Sequence, residues 1–517
     1  MRLIFVLFDS LNRLALGAYG GGIETPNFDR LAARGVTFDR NYVGSLPCIP
    51  ARRDLQTGRA NFFHRSWGPM EPYDVSFCDL LRDRGVYTHL VTDHFHYFQD
   101  GGTGYHTKYN SWEFIRGQEY DAWKGLAKPP LESFRREYDA RHYDPAKKPG
   151  RVQHMINNMY QPREEDFPIA QCFASAFDFL DANRAADDWM LQLELFDPHE
   201  PFRAPERFRR EGDSAWQGAV FNWPDYKRVN ETDDEVAEIR ANYAALLRMC
   251  DDYLGRLLDY MDEHDMWQDT AIVLGTDHGF LLGEHGWWGK GRMPYYEEIV
   301  HTPLMLCHPK MPERAGERVG ALTQTMDIMP TILHLFGIAA PSPVTGRSLL
   351  APPEPERVVA FGLFAGPVGV TDGRYVMLHY PPDVLAEGLH EYTLMPQHMT
   401  GPFSEAEIVT AALSPPFDFC RNTPLMRFDA LSTARRPPNI NGTFEDQGFL
   451  LFDLESDPEQ QTSIRDAAVE ARLYAGLRDY MLAHDAPAEA YVWQGLEATK
   501  DSRARAANAG KKTSHGG

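Results

Sequence analysis

Two apolar runs, at 3–7 and 270–276, each lead directly into a carboxylate, Asp9 and Asp277. Runs this uniformly apolar read as strands buried on both faces of a sheet. Helical patterns lie between them. At 25–35, Thr25 reads as an N-cap, Pro26 as the first helical position and Gly35 as the end. A helix at 79–84 is followed by a strand at 87–92. The clearest helix spans 235–263, where Tyr243, Leu246, Leu247, Cys250, Leu254, Leu257, Leu258 and Met261 recur near a 3.6 period. A strand at 305–307 and a helix at 327–337 follow. Strands alternating with helices predict an α/β domain with a mostly parallel central sheet flanked by helices. Ligands in such sheets sit at the carboxyl ends of strands. Asp9 and Asp277 can therefore converge, although far apart in sequence.

The pattern places the α/β domain at 1–350 and a smaller α+β domain at 351–490, with strands expected at 357–364, 368–370 and 375–379. Residues 381–445 have little periodicity. They are expected to form a long excursion that packs on the main domain or on another subunit of a homo-oligomer. The 491–517 segment, polar and rich in Ala, Gly and Lys towards its end, is expected to be a disordered tail.

Charge narrows the partners. Lys and Arg number 52 against 74 Asp and Glu, a net charge of -22, which excludes nucleic acid as a partner because phosphate binding needs basic surface. A small anion can still be held where a metal and a few cations make one pocket locally positive. The first apolar run is too short for a secretory core, and no stretch approaches a membrane span of roughly 20 apolar residues. The expectation is a cytoplasmic chain with no membrane partner. Six cysteines without paired spacing, Cys48, Cys78, Cys172, Cys250, Cys307 and Cys420, fit free thiols in a reducing compartment.

The segment Pro47-Cys48-Ile-Pro50-Ala-Arg52-Arg-Asp-Leu55-Gln-Thr57-Gly58-Arg59 is the most informative. It resembles the sulfatase signature Cys-x-Pro-x-Arg followed by Leu-x-Thr-Gly-Arg, with Ala51 where that family usually has Ser. The segment from Asp9 to Asn27, Asp197-Pro-His199-Glu-Pro201, Thr276-Asp277-His278-Gly279, Gly283-Glu-His285-Gly286 with Lys290, and Phe452-Asp-Leu-Glu-Ser-Asp457-Pro458 are similar to further sulfatase motifs. The resemblance implies an alkaline-phosphatase-like fold with a small C-terminal sheet domain. It also implies that Cys48 is oxidised to formylglycine by a formylglycine-generating enzyme.

From the resemblance, Asp9, Asp277, His278 and the modified Cys48 hold one divalent metal, and Cys48, Arg52, His199 and Lys290 are catalytic; Asp93, His94 and His96 are candidates to bind substrate or only to rim the pocket, and His285 is a candidate to bind substrate or to orient the loops around it. Ser10 and His278 depart from the common Asp and Asn. An imidazole donor suits Mn²⁺, while Ca²⁺ prefers oxygen and serves some Asp-His members; Ca²⁺ is the favoured expectation. The usual Gly-Lys-x-His segment is replaced by Thr92-Asp93-His94-Phe95-His96-Tyr97. The implied reaction is hydrolysis of a small-molecule sulfate ester. A formylglycine hydrate offers one hydroxyl to attack sulfur and a second to expel sulfate, and His199 protonates the leaving oxygen. The alternative on the same site is a phosphonate monoester or phosphodiester hydrolase. A non-catalytic protein of the fold would have lost these residues, and all are present.

Overall fold

The computed structural model describes residues 1–384, 386–431 and 448–496. Its centre is an eight-stranded sheet. In chain order the strands are β1 (Arg2–Phe8), β2 (Val36–Tyr42), β3 (Tyr87–Thr92), β4 (Ser111–Phe114), β5 (Trp189–Leu195), β6 (Thr270–Thr276), β7 (His301–Cys307) and β8 (Arg318–Gln324). Their spatial order is β8-β2-β7-β6-β1-β5-β3-β4. All pairings are parallel except those of β7, which runs antiparallel to both β2 and β6.

The alternation of β1 explains its continuous apolarity. Ile4, Val6 and Phe8 pack into one core with the helices at Pro26–Arg34, Pro168–Ala182 and Asp233–Glu263. Leu3, Phe5 and Leu7 pack into the opposite core with Phe77–Arg82 and Ile328–Leu335. Covering on both faces leaves no position for a polar side chain. The long helix buries the face its periodicity marked, and Thr232 and Glu235 close its start as a capping box.

The helix at Pro26–Arg34 begins as expected, but Thr25 does not cap it. The Thr25 hydroxyl instead accepts from Gly17 N at 3.0 Å, and Asp251 on the long helix accepts from Asn27 N and Phe28 N, both at 2.9 Å. A tertiary carboxylate outcompetes the local hydroxyl because charge-assisted bonds to orphan amides are the stronger ones.

Beyond the main sheet, β9 (Val359–Gly362), β10 (Val368–Thr371), β11 (Tyr375–His379) and β12 (Leu450–Asp453) form an antiparallel sheet under the helix Ala467–Ala483. This smaller sheet braces the segment that leads into Cys48, since Leu46 N donates to Gly362 O and Gly362 N to Gly44 O. The excursion includes a three-stranded sheet and packs on the main domain, where Arg65 meets Glu391 and Thr393 donates to Glu71. Part of the excursion (432–445) and the tail beyond 496 lie outside the described residues. Residues 491–496, grouped above with the tail, carry the end of a helix, Ala488–Trp493, with Tyr491 and Trp493 buried. No helix among the described residues is long and apolar enough to cross a membrane, and all six cysteines are free and buried.

Candidate active site

Strand register builds the site. Phe8 aligns with Leu195 on one side and Thr276 on the other, so Asp9, Asp277 and the start of the 196–201 loop emerge at one level. Cys48 opens the helix Cys48–Thr57, and Arg52 lies one turn further on the same face. Gly58 ends that helix with φ 66°, a left-handed conformation that glycine adopts without strain. The signature's Gly is therefore a structural requirement.

Arg52 is buried at the junction. Its Nε donates to Glu194 Oε1 at 2.7 Å, Nη2 to Asp9 Oδ2 at 2.9 Å, and Nη1 to Asp277 Oδ2 and to Cys48 O. Arg52, expected above to be catalytic, does not line the cavity; its terminal nitrogens are engaged with Asp9, Asp277 and Cys48 O. Lys290 Nζ lies 2.8 Å from Ser10 Oγ, 3.4 Å from Cys48 Sγ and 3.6 Å from Asp9 Oδ1. Burial alone raises the Asp9 carboxyl, but Lys290 and Arg52 overcome it and hold Asp9 well below the usual range. Burial, joined by Asp9, pushes the Cys48 thiol well above 9.0.

Asp9, Cys48, Asp277 and His278 present one donor atom each within 4.8 Å of one another. The donors fit a metal. His278 Nδ1 donates to Gly279 O at 2.9 Å, which leaves the Nε2 lone pair aimed into the group, 3.2 Å from Cys48 Sγ. Burial draws His278 down to about 4, so the ring is neutral, as a ligand must be. Three buried carboxylates, Asp9, Asp277 and Glu194, face only two permanent cations, Arg52 and Lys290, and this favours further positive charge.

The group opens on a cavity of about 570 Å³ lined by Cys48, Lys290, His96 and His199 among others. His199 Nδ1 donates to Glu200 O at 2.5 Å, and burial draws the ring down to about 4. His94, Asp93 and His285 do not line the cavity. His94 is fully buried behind it, with Nε2 3.6 Å from Asp9 Oδ2. His285 stacks on Tyr296 with ring centroids 3.6 Å apart and faces Glu298. The cavity also takes in Trp67, Glu119, Glu200, Trp223 and Tyr226, which the sequence reading did not single out.

Asp93 has a bracing role: Oδ1 accepts from Phe196 N at 2.7 Å and Oδ2 from Gln118 Nε2 at 2.9 Å, while Gln118 also reaches Asp197 at 3.2 Å. Burial raises Asp93 to about 7 and raises Asp197 as well. A carboxyl raised above its unfolded value near 3.9 stabilises the fold below that value, and the contribution is lost as pH rises through about 7. Asp93→Asn stays neutral, and rotating the Gln118 amide restores its bond to residue 93 in exchange for the weaker one to Asp197. The variant is expected to melt roughly 1–3 °C above the parent at pH 8 and to match it near pH 4. Identical melting curves across pH would refute a raised Asp93 carboxyl.

A mixed sheet carrying an acidic, metal-competent cluster at its carboxyl edge, with a helix that opens on Cys48 beside it, is an alkaline-phosphatase-like architecture. The Sulfatase family model matches residues 2–338, and the chain belongs to the sulfatase family, sulfuric ester hydrolases. An N-acetylglucosamine-6-O-sulfatase of Bacteroides thetaiotaomicron is 24% identical over 471 residues, 78% of this chain and 83% of the relative. The multifunctional alkaline phosphatase superfamily protein PehA of Trinickia caryophylli is 27% identical over 370 residues, 63% of this chain and 71% of its own. The phosphonate monoester hydrolase of Agrobacterium radiobacter shares the fold with a TM-score of 0.61 at 18% identity, covering 93% of this chain and 95% of that one.

Proposed function

We propose that the chain hydrolyses small-molecule sulfate esters with a nucleophile made from Cys48 as formylglycine, beside one divalent metal held by Asp9, Asp277, His278 and residue 48. The observation that carries this reading is the placement of Cys48. It starts a helix, stands 3.2 Å from His278 Nε2 and 3.4 Å from Lys290 Nζ, and opens on the cavity. Bound metal would supply Lewis-acid activation and neutralise sulfate oxygens. The two carboxylates suit Ca²⁺ and the imidazole suits Mn²⁺; elemental analysis of the purified protein decides between them. A formylglycine-generating enzyme is the partner for maturation.

The chain's own groups divide the remaining work. Lys290 holds negative charge at the nucleophile. Arg52 keeps Asp9 and Asp277 in register. His199 protonates the leaving oxygen: Nδ1 is committed to Glu200 O, so Nε2 is the nitrogen free to face the ester. An anionic ester beside the ring favours the imidazolium and moves the proton affinity upward from its value in the empty site.

The test is kcat/KM on sulfate esters of graded leaving-group pKa, for the parent and for His199→Ala. A nitrophenolate departs without a proton and an alkoxide does not. The variant is expected to lose about 10²–10⁴-fold on alkyl sulfates and far less on nitrophenyl sulfate. Equal slopes would remove His199 from the role. Aryl phosphonates assayed in parallel address the second reading, a phosphonate monoester or phosphodiester hydrolase, which the similarity to the multifunctional PehA supports. Faster phosphonate turnover would replace sulfate with phosphonate as the substrate.

A further inference from the structure

The cavity is lined by ions of both signs, and their hydrogen bonding differs. Lys148 Nζ donates to both oxygens of Asp225 and to Arg141 O. Arg151 donates to Asp225, His142 O and Trp223 O. Lys290 is engaged with Ser10 and Cys48. Lys147 lies at the rim, with its side chain 82% exposed beside Asp144. The cations therefore have partners or face solvent.

The two carboxylates at the inner wall are different. Glu119 is 7% exposed and Glu200 is 3% exposed. Oε2 of each accepts no hydrogen bond. The nearest basic groups are imidazoles: His96 Nε2 lies 3.9 Å from Glu119 Oε2, and His199 Nδ1 lies 3.3 Å from Glu200 Oε2 while donating to the Glu200 carbonyl. Burial draws both imidazoles down to about 4, so neither neutralises its neighbour near pH 7. Burial and the charge of Glu200 push Glu119 well above 4.5. Lys290 and Arg151 act on Glu119, and Lys290 on Glu200, only through space; no cation donates to either Oε2, and a buried acceptor left unfilled is costly. Trp67, Trp223 and Tyr226 supply aromatic faces in the same cavity, and Tyr226 OH donates to Glu200 Oε1 at 2.5 Å.

We propose that Glu119 and Glu200 form a subsite for a protonated amine on the alcohol half of the ester, so that the substrate class is the sulfate monoesters of amino alcohols. An ammonium group brings both missing elements, N–H donors for the two Oε2 atoms and a positive charge between the carboxylates. The aromatic faces favour the same cation. A neutral diol would fill the acceptors but bring no positive charge, and a second anion would meet cations that are already engaged. This inference rests on the ester hydrolysis proposed above and specifies its substrate.

The test compares ω-aminoalkyl sulfates of graded chain length with n-alkyl sulfates of matched length at pH 7, with 4-nitrophenyl sulfate as the control for hydrolysis itself. At the matching length the amine is expected to raise kcat/KM about tenfold or more over its neutral counterpart. Glu119→Gln is expected to bring that ratio close to one. Glu200→Gln is expected to do the same, which guards against a local fault in one variant, and melting curves confirm that both are folded. A neutral series as fast as the amine series, or an amine advantage that survives both substitutions, would overturn the subsite. If 4-nitrophenyl sulfate is inert and aryl phosphonates are turned over, the sulfate reading fails. The same amine-to-neutral ratio, measured on phosphonate monoesters, then still decides on the subsite.

Discussion

Cys48→Ala is expected to abolish turnover, and Cys48→Ser to arrest it after a single covalent event. In the parent, conversion to formylglycine should leave the tryptic peptide carrying residue 48 about 18 Da lighter than its thiol form, as sulfur is exchanged for oxygen and two hydrogens are lost. The Ala variant has no oxygen at the centre of the Asp9, Asp277 and His278 cluster. Its rate should fall ~10⁴-fold or more, as when a covalent nucleophile is deleted elsewhere. The Ser variant separates attack from release. Its Oγ can form the bond to sulfur while the ester oxygen departs with a proton from His199. The sulfuryl-serine has no second hydroxyl with which to expel sulfate. Stoichiometric protein about 80 Da heavier, without steady-state turnover, is the expected mass spectrum. Full activity in Cys48→Ala would end the proposed mechanism, and sustained turnover in Cys48→Ser would remove the need for the geminal diol.

The parts of this site that were legible in sequence have a common cause. Asp9 and Asp277 follow apolar runs at strand ends, because strands covered on both faces favour continuous apolar residues. Glu194 was missed although a signal existed. It stands inside the fully buried strand Trp189–Leu195, where a carboxylate needs a cation, and Arg52 is that cation. The direction of β7 was not legible. Its residues are apolar in either orientation, and only the register with β2 and β6 reveals the reversal. The cavity wall was the least legible part. Glu119, Glu200, Trp223 and Tyr226 lie outside helices and strands, where neither a 2.0 nor a 3.6 period constrains the side chains. His285 stood within a motif, but its backbone, at φ 55°, turns the ring onto Tyr296 and away from the cavity.

Asp277→Ala is expected to lose both the bound metal and turnover, with a fall of several kcal/mol in transition-state stabilisation. The structure makes this variant harsher than the loss of one ligand. Asp277 Oδ2 accepts from Arg52, and Oδ1 accepts from Ser10 N and His278 N at 3.1 and 2.9 Å. Deleting the carboxylate leaves Arg52 with one fewer buried anion, and breaking such a pair costs about 3–5 kcal/mol of stability. Inactivity of the Ala variant could then reflect a displaced Arg52 as much as a missing metal. Asp277→Asn resolves this. Its amide oxygen can still accept from the two backbone N–H groups, so the turn after Thr276 is retained while the negative charge is lost. The Asn variant should melt closer to the parent than the Ala variant does, hold substoichiometric metal by elemental analysis and turn over slowly. Adding excess metal should restore part of the activity in Asn and none in Ala, because only Asn keeps an oxygen donor. Stoichiometric metal in a folded Asp277→Ala protein would take Asp277 out of the ligand set. Arg52, held between Asp9 and Glu194, would then owe its position to structure alone.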